Sequence, residues 1–117
     1  MLMYSIVLFA LAAVIGIYMA TRVFKGVLPP VGAAVFHGLF AASGLLLLLY
    51  AAFLSGAPAS QAVTIAAILL VVAALGGFFA ASFHMRGKAP PKALAAIHAL
   101  VAVAGVGTLA AAVFNLI

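Results

Sequence analysis

The sequence predicts an all-α membrane protein with four transmembrane helices in an up-down-up-down bundle, and three observations support this. Of the 117 residues, 71% are hydrophobic and only 4% are charged, whereas about a quarter of the residues in a soluble domain are charged. Charged residues are absent from residues 1–21, 26–85 and 93–117. Strand-like alternation is also missing, and in lipid an α-helix satisfies its own backbone hydrogen bonds. A soluble domain and a disordered chain are both excluded.

The four helices are predicted near residues 3–22, 31–54, 61–83 and 92–115, since a membrane-spanning helix needs about 20 apolar residues. The long central stretch is divided by Ser-Gly-Ala-Pro-Ala-Ser at 55–60, a composition typical of a turn. The other two connections each end in Pro-Pro. Proline is favoured at the first position of a helix, so Pro30 and Pro91 are predicted to begin the second and fourth helices.

The charges predict the orientation. All five Lys and Arg residues lie in the two Pro-Pro loops, at 22–30 and 86–92. Positively charged loops face the cytoplasm, so we expect an integral protein of the inner (cytoplasmic) membrane with both termini on the periplasmic side. The chain has no Asp, Glu or Cys, which excludes carboxylate acid–base chemistry, disulfides and thiolate ligands.

The single four-helix domain contains an internal repeat, with one copy at 1–56 and the other at 62–117. A shift of 61 residues (98 − 37) aligns the halves, and both contain the pattern [KR]-G-x-x-P-P-x6-H-x-L-x-A-x-x-G. Each copy contributes two helices. The copies therefore enter the membrane in the same direction, as parallel repeats related by an approximate two-fold axis along the membrane normal.

The repeat places one histidine at the same position in each half. His37 and His98 each lie seven residues after the second proline, roughly 10 Å into the helix. Ionisable residues at such a depth usually face the interior of a bundle, so the two imidazoles are expected to face each other. Small residues follow on the same helix faces four and seven positions later: Ala41, Gly44, Ala102 and Gly105.

Paired histidines above small residues are suited to a flat macrocycle whose metal takes one imidazole from each side. The pattern resembles the four-helix b-type membrane cytochromes, in which histidines from different helices bind haem. That resemblance rests on the histidines and glycines, and it implies one bis-His haem b between the second and fourth helices, near the cytoplasmic side. The propionates would then pair with the basic residues near that end, namely Arg22, Lys25, Arg86 and Lys88.

Simpler interpretations remain open at this stage. His37 and His98 could hydrogen-bond a neighbouring helix, or bind a quinone or another metal, and the glycines could serve close helix packing. His84 lacks a counterpart in the other half, where Val23 aligns with it, and it is interpreted as an interfacial residue. Gly16 and Gly77 are interpreted as packing residues of the neighbouring helices.

Three functions are therefore considered. The first is an electron-transfer subunit with a quinone or cytochrome as redox partner. The second is a non-catalytic accessory subunit of a larger respiratory or photosynthetic membrane complex. The third is a small transporter or channel, which the lack of acidic residues disfavours. Enzymatic activity is not expected, because the sequence has no nucleophile–base pair and no phosphate-binding loop. Nucleic acid is not an expected partner, because the charges are few and lie at the membrane surface.

Overall fold

The computed structural model describes all 117 residues and confirms the all-α fold with four helices. These are α1 (Leu2–Phe24), α2 (Val31–Leu49), α3 (Gln61–Met85) and α4 (Lys92–Val113). A π-helical turn, Tyr50–Leu54, continues α2 to its end. All four helices, α2 counted with this turn, are long and apolar enough to cross a membrane. The chain is therefore described as a multi-pass membrane protein.

Helices α2 and α4 begin at residues 31 and 92 as predicted, and only the role of the preceding prolines differs from the prediction. Pro30 (φ −60°, ψ 142°) and Pro91 (φ −56°, ψ 141°) have extended backbone and cap these helices rather than belonging to them. Their carbonyl oxygens accept the first helical hydrogen bonds, from Ala34 N at 3.2 Å and Ala95 N at 3.1 Å. A proline at the cap leaves no backbone N–H unsatisfied, since it has none to offer.

The ends of α1 and α3 have the same backbone conformation. Gly26 (φ 73°) and Gly87 (φ 72°) adopt the left-handed conformation that favours glycine. The amide of Val27 then donates to the Arg22 carbonyl at 2.9 Å, and the amide of Lys88 donates to the Phe83 carbonyl at 3.0 Å. This is the Schellman motif. It turns the chain tightly into each Pro-Pro loop.

The helices form two hairpins that pack side by side. Helix α1 packs along α2, and α3 packs along α4. The hairpins meet through α1 against α4 and α2 against α3, in less extensive contacts than those within each hairpin. Helices α2 and α4 therefore lie diagonally across the bundle, as in other up-and-down four-helix bundles.

The tightly packed core occupies only one end of the bundle. We name the end with the two Pro-Pro loops the basic end and the opposite end, with both termini, the terminal end. The buried core cluster lies toward the terminal end and comprises Phe9, Leu48, Ala52, Val63, Ala66, Ala67, Leu70 and Leu109. From the level of the histidines to the basic end, only Val23 and Pro29 are buried. The histidines thus lie in the more loosely packed half.

Candidate functional site

The two repeated histidines come together between the diagonal helices. His37 on α2 and His98 on α4 have ring centroids 6.1 Å apart, with ring planes at 77° to each other. Both residues are half-buried. The bundle therefore brings one imidazole from each half to a common centre.

Each imidazole is held by a backbone carbonyl of the neighbouring helix in its own hairpin. Nδ1 of His37 lies 2.8 Å from the Ala12 oxygen, and Nδ1 of His98 lies 2.7 Å from the Ala73 oxygen. A carbonyl oxygen can only accept, so both Nδ1 atoms carry hydrogen and donate. The neutral rings then have an unprotonated Nε2, and neither Nε2 has a hydrogen-bond partner in the protein. The carbonyl fixes both the tautomer and the orientation of each ring.

The carbonyl groups are exposed to the histidines because of glycines one turn further along the helix. A Cβ atom added at Gly16 would lie 3.0 Å from Cε1 of His37, and one at Gly77 would lie 3.1 Å from Cε1 of His98. A larger residue would therefore push each ring away from its carbonyl. In the sequence, the one signal for this shared role is that Gly16 and Gly77 align in the repeat.

Gly44 and Gly105 have a different role from the one predicted. A Cβ at Gly44 would lie 3.1 Å from a ring carbon of Phe9, and one at Gly105 would lie 2.7 Å from Cγ of Leu70. The space they leave is filled by side chains of α1 and α3, so it is not a hollow for a ligand. The prediction that these two glycines make room for a cofactor is corrected to close helix packing within each hairpin.

The remaining residues predicted for the site divide into small and basic ones. Ala41 and Ala102 are half-buried, one turn beyond the histidines. Lys25 and Lys88 are exposed at the basic end.

The two arginines predicted for the site differ in their surroundings. Arg86 is exposed; its Nε donates to the Ser82 carbonyl at 3.1 Å, and its guanidinium lies 4.6 Å above the Phe83 ring. Arg22 is half-buried, and its Nε is buried without a hydrogen-bond partner.

The third histidine connects the two hairpins outside the central pair. Nε2 of His84, at the end of α3, donates to the carbonyl oxygen of Pro29 at 2.7 Å. Pro29 is buried in the loop between α1 and α2. His84 is thus more than an interfacial residue, because it forms a polar contact across the hairpin interface near the basic end.

Few side chains of this protein could bind a metal ion. The protein has no group of three or more His, Cys, Asp or Glu side chains that could hold a metal ion. A metal bound by His37 and His98 therefore needs most of its ligands from another source. The equatorial nitrogens of a porphyrin provide such a source, since haem iron takes only its axial ligands from the protein.

Comparison with known proteins assigns no relatives to this chain. A scan against protein-family models, a search of curated proteins and a search of solved structures each found no significant match.

Proposed function

We propose that this protein is an electron-transfer subunit of the membrane in which His37 and His98 ligate one b-type haem. The observation that carries the proposal is the paired geometry of the two rings. Each Nδ1 donates to a backbone carbonyl, which leaves Nε2 free as the ligand atom. Metal-bound histidines commonly have such a partner on the other ring nitrogen, because it orients the ring and increases the basicity of the ligand.

The separation of the rings supports a single shared metal. When two imidazole nitrogens bind the same metal from opposite sides, each at about 2 Å, the ring centres lie roughly 6 Å apart. The observed centroid distance between His37 and His98 is 6.1 Å. The angle of 77° between the ring planes is compatible with this arrangement, because a metal held by the two Nε2 atoms would not require the ring planes to be parallel.

Space for a macrocycle would come from the hairpin interface. The half of the bundle that contains the histidines has few buried residues, and small residues line the helices around the pair: Gly16, Ala41, Gly77 and Ala102. Two surface grooves, of about 590 and 200 Å³, do not include either histidine. A macrocycle would therefore occupy the loosely packed half beside the pair, where side chains of the neighbouring helices would shift while the two rings keep their separation.

The basic loops support a position of the site relative to the two sides of the membrane. By the positive-inside rule the basic end faces the cytoplasm, so His37 and His98 lie in the cytoplasmic half of the bilayer. A haem with two axial imidazoles transfers single electrons and has no open position for binding oxygen. The expected redox partner is a quinone or a cytochrome that reaches this half of the membrane.

The absorption spectrum of the purified protein tests the proposal. We expect one haem per chain and a reducible, low-spin b-type spectrum in the wild type. His37→Ala and His98→Ala should each abolish the low-spin spectrum, whereas His84→Ala should retain it, because His84 belongs to a separate contact. A wild-type protein that stays colourless after expression with added haem precursor, or an unchanged spectrum in both variants, would contradict the proposal.

A second candidate function is an accessory subunit of a larger membrane complex. Phe36, Phe78 and Phe79 expose 57%, 71% and 57% of their surface, and the loops add no extramembrane domain. In this case the imidazole–carbonyl contacts serve only to join helices. A colourless protein that co-purifies with a large complex, and is destabilised but otherwise unchanged by His37→Ala, would favour this function over the first.

A further inference from the structure

Arg22 differs from the other arginine of the basic end in how its guanidinium is satisfied. Arg86 has two local partners, the Ser82 carbonyl and the face of the Phe83 ring. Arg22 is half-buried, and its Nε is fully buried without any hydrogen-bond partner. A buried charged donor without an acceptor is unfavourable. Among the basic residues, Arg22 is therefore the one with a buried donor that lacks a partner.

The backbone carbonyl one turn before Arg22 is already engaged and does not provide the missing acceptor. One turn before Arg22, the Tyr18 carbonyl accepts the hydroxyl of Thr21 at 2.6 Å in addition to its normal helical N–H. A carbonyl oxygen has two lone pairs, so both are engaged. Arg86 avoids this competition because it lies just beyond the end of α3, where the Ser82 carbonyl is accessible to its side chain.

The rest of the chain cannot supply a counterion either. The protein has five Lys and Arg residues and no Asp or Glu. An anion that pairs with Arg22 must therefore come from another molecule.

The repeat shows that the fold does not require a charge at this position. A shift of 61 residues places Phe83 in α3 where α1 has Arg22. The two helices end in the same Schellman motif, and an apolar side chain is sufficient in the second copy. Arg22 is thus a departure from the two-fold symmetry that the helix ending does not explain.

We propose that Arg22 binds the oxyanion of a ligand at the basic end of the bundle, with its Nε as one of the donors. The chemistry of the ligand is a phosphate or carboxylate group, which a guanidinium recognises by charge-assisted hydrogen bonds. Two sources share this chemistry: the headgroup of an anionic phospholipid, and a propionate of haem. The second source rests on the proposed function, whereas the first does not.

Native mass spectrometry of the purified protein tests the phospholipid source. Phosphatidylglycerol is titrated against wild type, Arg22→Gln and Lys92→Gln, with phosphatidylcholine as the neutral comparison lipid. Loss of one charge-assisted contact should weaken phosphatidylglycerol binding about tenfold in Arg22→Gln. The control variant Lys92→Gln removes an exposed charge of the other Pro-Pro loop and should change binding less than twofold, because such a charge is screened by solvent and salt.

Titration with haemin and with its dimethyl ester tests the carboxylate source. If Arg22 binds a propionate, haemin should bind to the wild type about tenfold more tightly than to Arg22→Gln. The dimethyl ester should bind equally to both proteins. Arg22→Lys provides a second variant in case Arg22→Gln does not fold. It keeps the charge but has a differently shaped donor, so it should weaken binding at least threefold.

The outcomes separate this proposal from the haem proposal. A loss with phosphatidylglycerol supports the oxyanion site even if no haem binds, and a loss with haemin alone assigns the site to a propionate. Binding of both ligands at wild-type strength by Arg22→Gln and Arg22→Lys would overturn the proposal. That result would leave the haem assignment of the two central histidines intact.

Discussion

Replacement of Gly105 by alanine tests whether α3 and α4 are packed as closely as the structure shows. An added Cβ would lie 2.7 Å from Cγ and 2.9 Å from Cδ2 of Leu70, and 3.3 Å from Cβ of Leu69. Leu70 belongs to the buried core cluster and is 5% exposed. Because its Cγ is close to the backbone, it cannot move aside by a simple change at the end of the side chain. The two helices must separate.

The expected effect is a difference in the free energy of unfolding between alanine variants at two neighbouring glycines. Overpacking of a well-packed core costs about 1–3 kcal/mol. Gly107 is in the same helix, and a Cβ there would meet no atom within 4 Å. Both alanine variants gain the same helix propensity, roughly 1 kcal/mol in water, and this term cancels in the comparison. We expect Gly105→Ala to be less stable than Gly107→Ala by about 2 kcal/mol.

The first half of the repeat provides a graded comparison. At Gly44 an added Cβ would lie 3.1 Å from Cε1 of Phe9, an atom at the edge of a ring that can shift by a few tenths of an ångström. Gly44→Ala should therefore be destabilised less than Gly105→Ala, by about 1 kcal/mol relative to an open glycine.

Unfolding by sodium dodecyl sulfate in mixed micelles, followed by far-ultraviolet circular dichroism, measures these differences. Each variant is compared with wild type at the same micelle composition, so that only the free energy of unfolding changes. If Gly105→Ala and Gly107→Ala agree within about 0.5 kcal/mol, the difference is below the range expected for overpacking. The close contact between α3 and α4 would then be refuted.

Three further predictions follow from individual contacts. Gly16→Ala should displace the His37 ring and weaken its hydrogen bond, which lowers the free energy of unfolding by about 1 kcal/mol relative to Gly38→Ala. The Cβ of Gly38→Ala meets no atom within 4 Å, and the same detergent titration measures the difference. Ser60→Ala should lower stability by about 1 kcal/mol, since the Ser60 side chain accepts a hydrogen bond from a backbone amide at the start of α3, and an unchanged unfolding midpoint would be the contrary result. His84→Ala should speed hydrogen exchange in the loop between α1 and α2, because the contact to that loop is lost, and equal exchange would argue against this contact.

The helices could be predicted from the sequence because the relevant signals are local. Length, hydropathy and the Pro-Pro loops define where each membrane helix begins and ends. Only the place of Pro30 differs from the prediction, because it caps α2 instead of occupying the first helical position. The π-helical turn at Tyr50–Leu54 has no comparable local signal, so the sequence predicts ordinary helix there.

The environment of the histidines could be predicted only in part. The repeat and the depth of His37 and His98 indicate that the two side chains meet. Which glycine touches the imidazole depends on the rotation of α1 and α3, and hydropathy does not define this rotation when most positions are apolar. The sequence therefore predicts Gly44 beside a ligand and Gly16 in helix packing, whereas in the structure Gly16 lies against His37 and Gly44 packs against Phe9.

Electron paramagnetic resonance of the oxidised, purified protein tests most directly whether the two central imidazoles share one iron. If His37 and His98 ligate one iron, the wild type should give a low-spin ferric signal from one haem per chain. A high-spin signal should replace it when either His37 or His98 is changed to alanine. A high-spin signal in the wild type, or a low-spin signal that survives in the double variant, would show that these two rings are not the axial ligands.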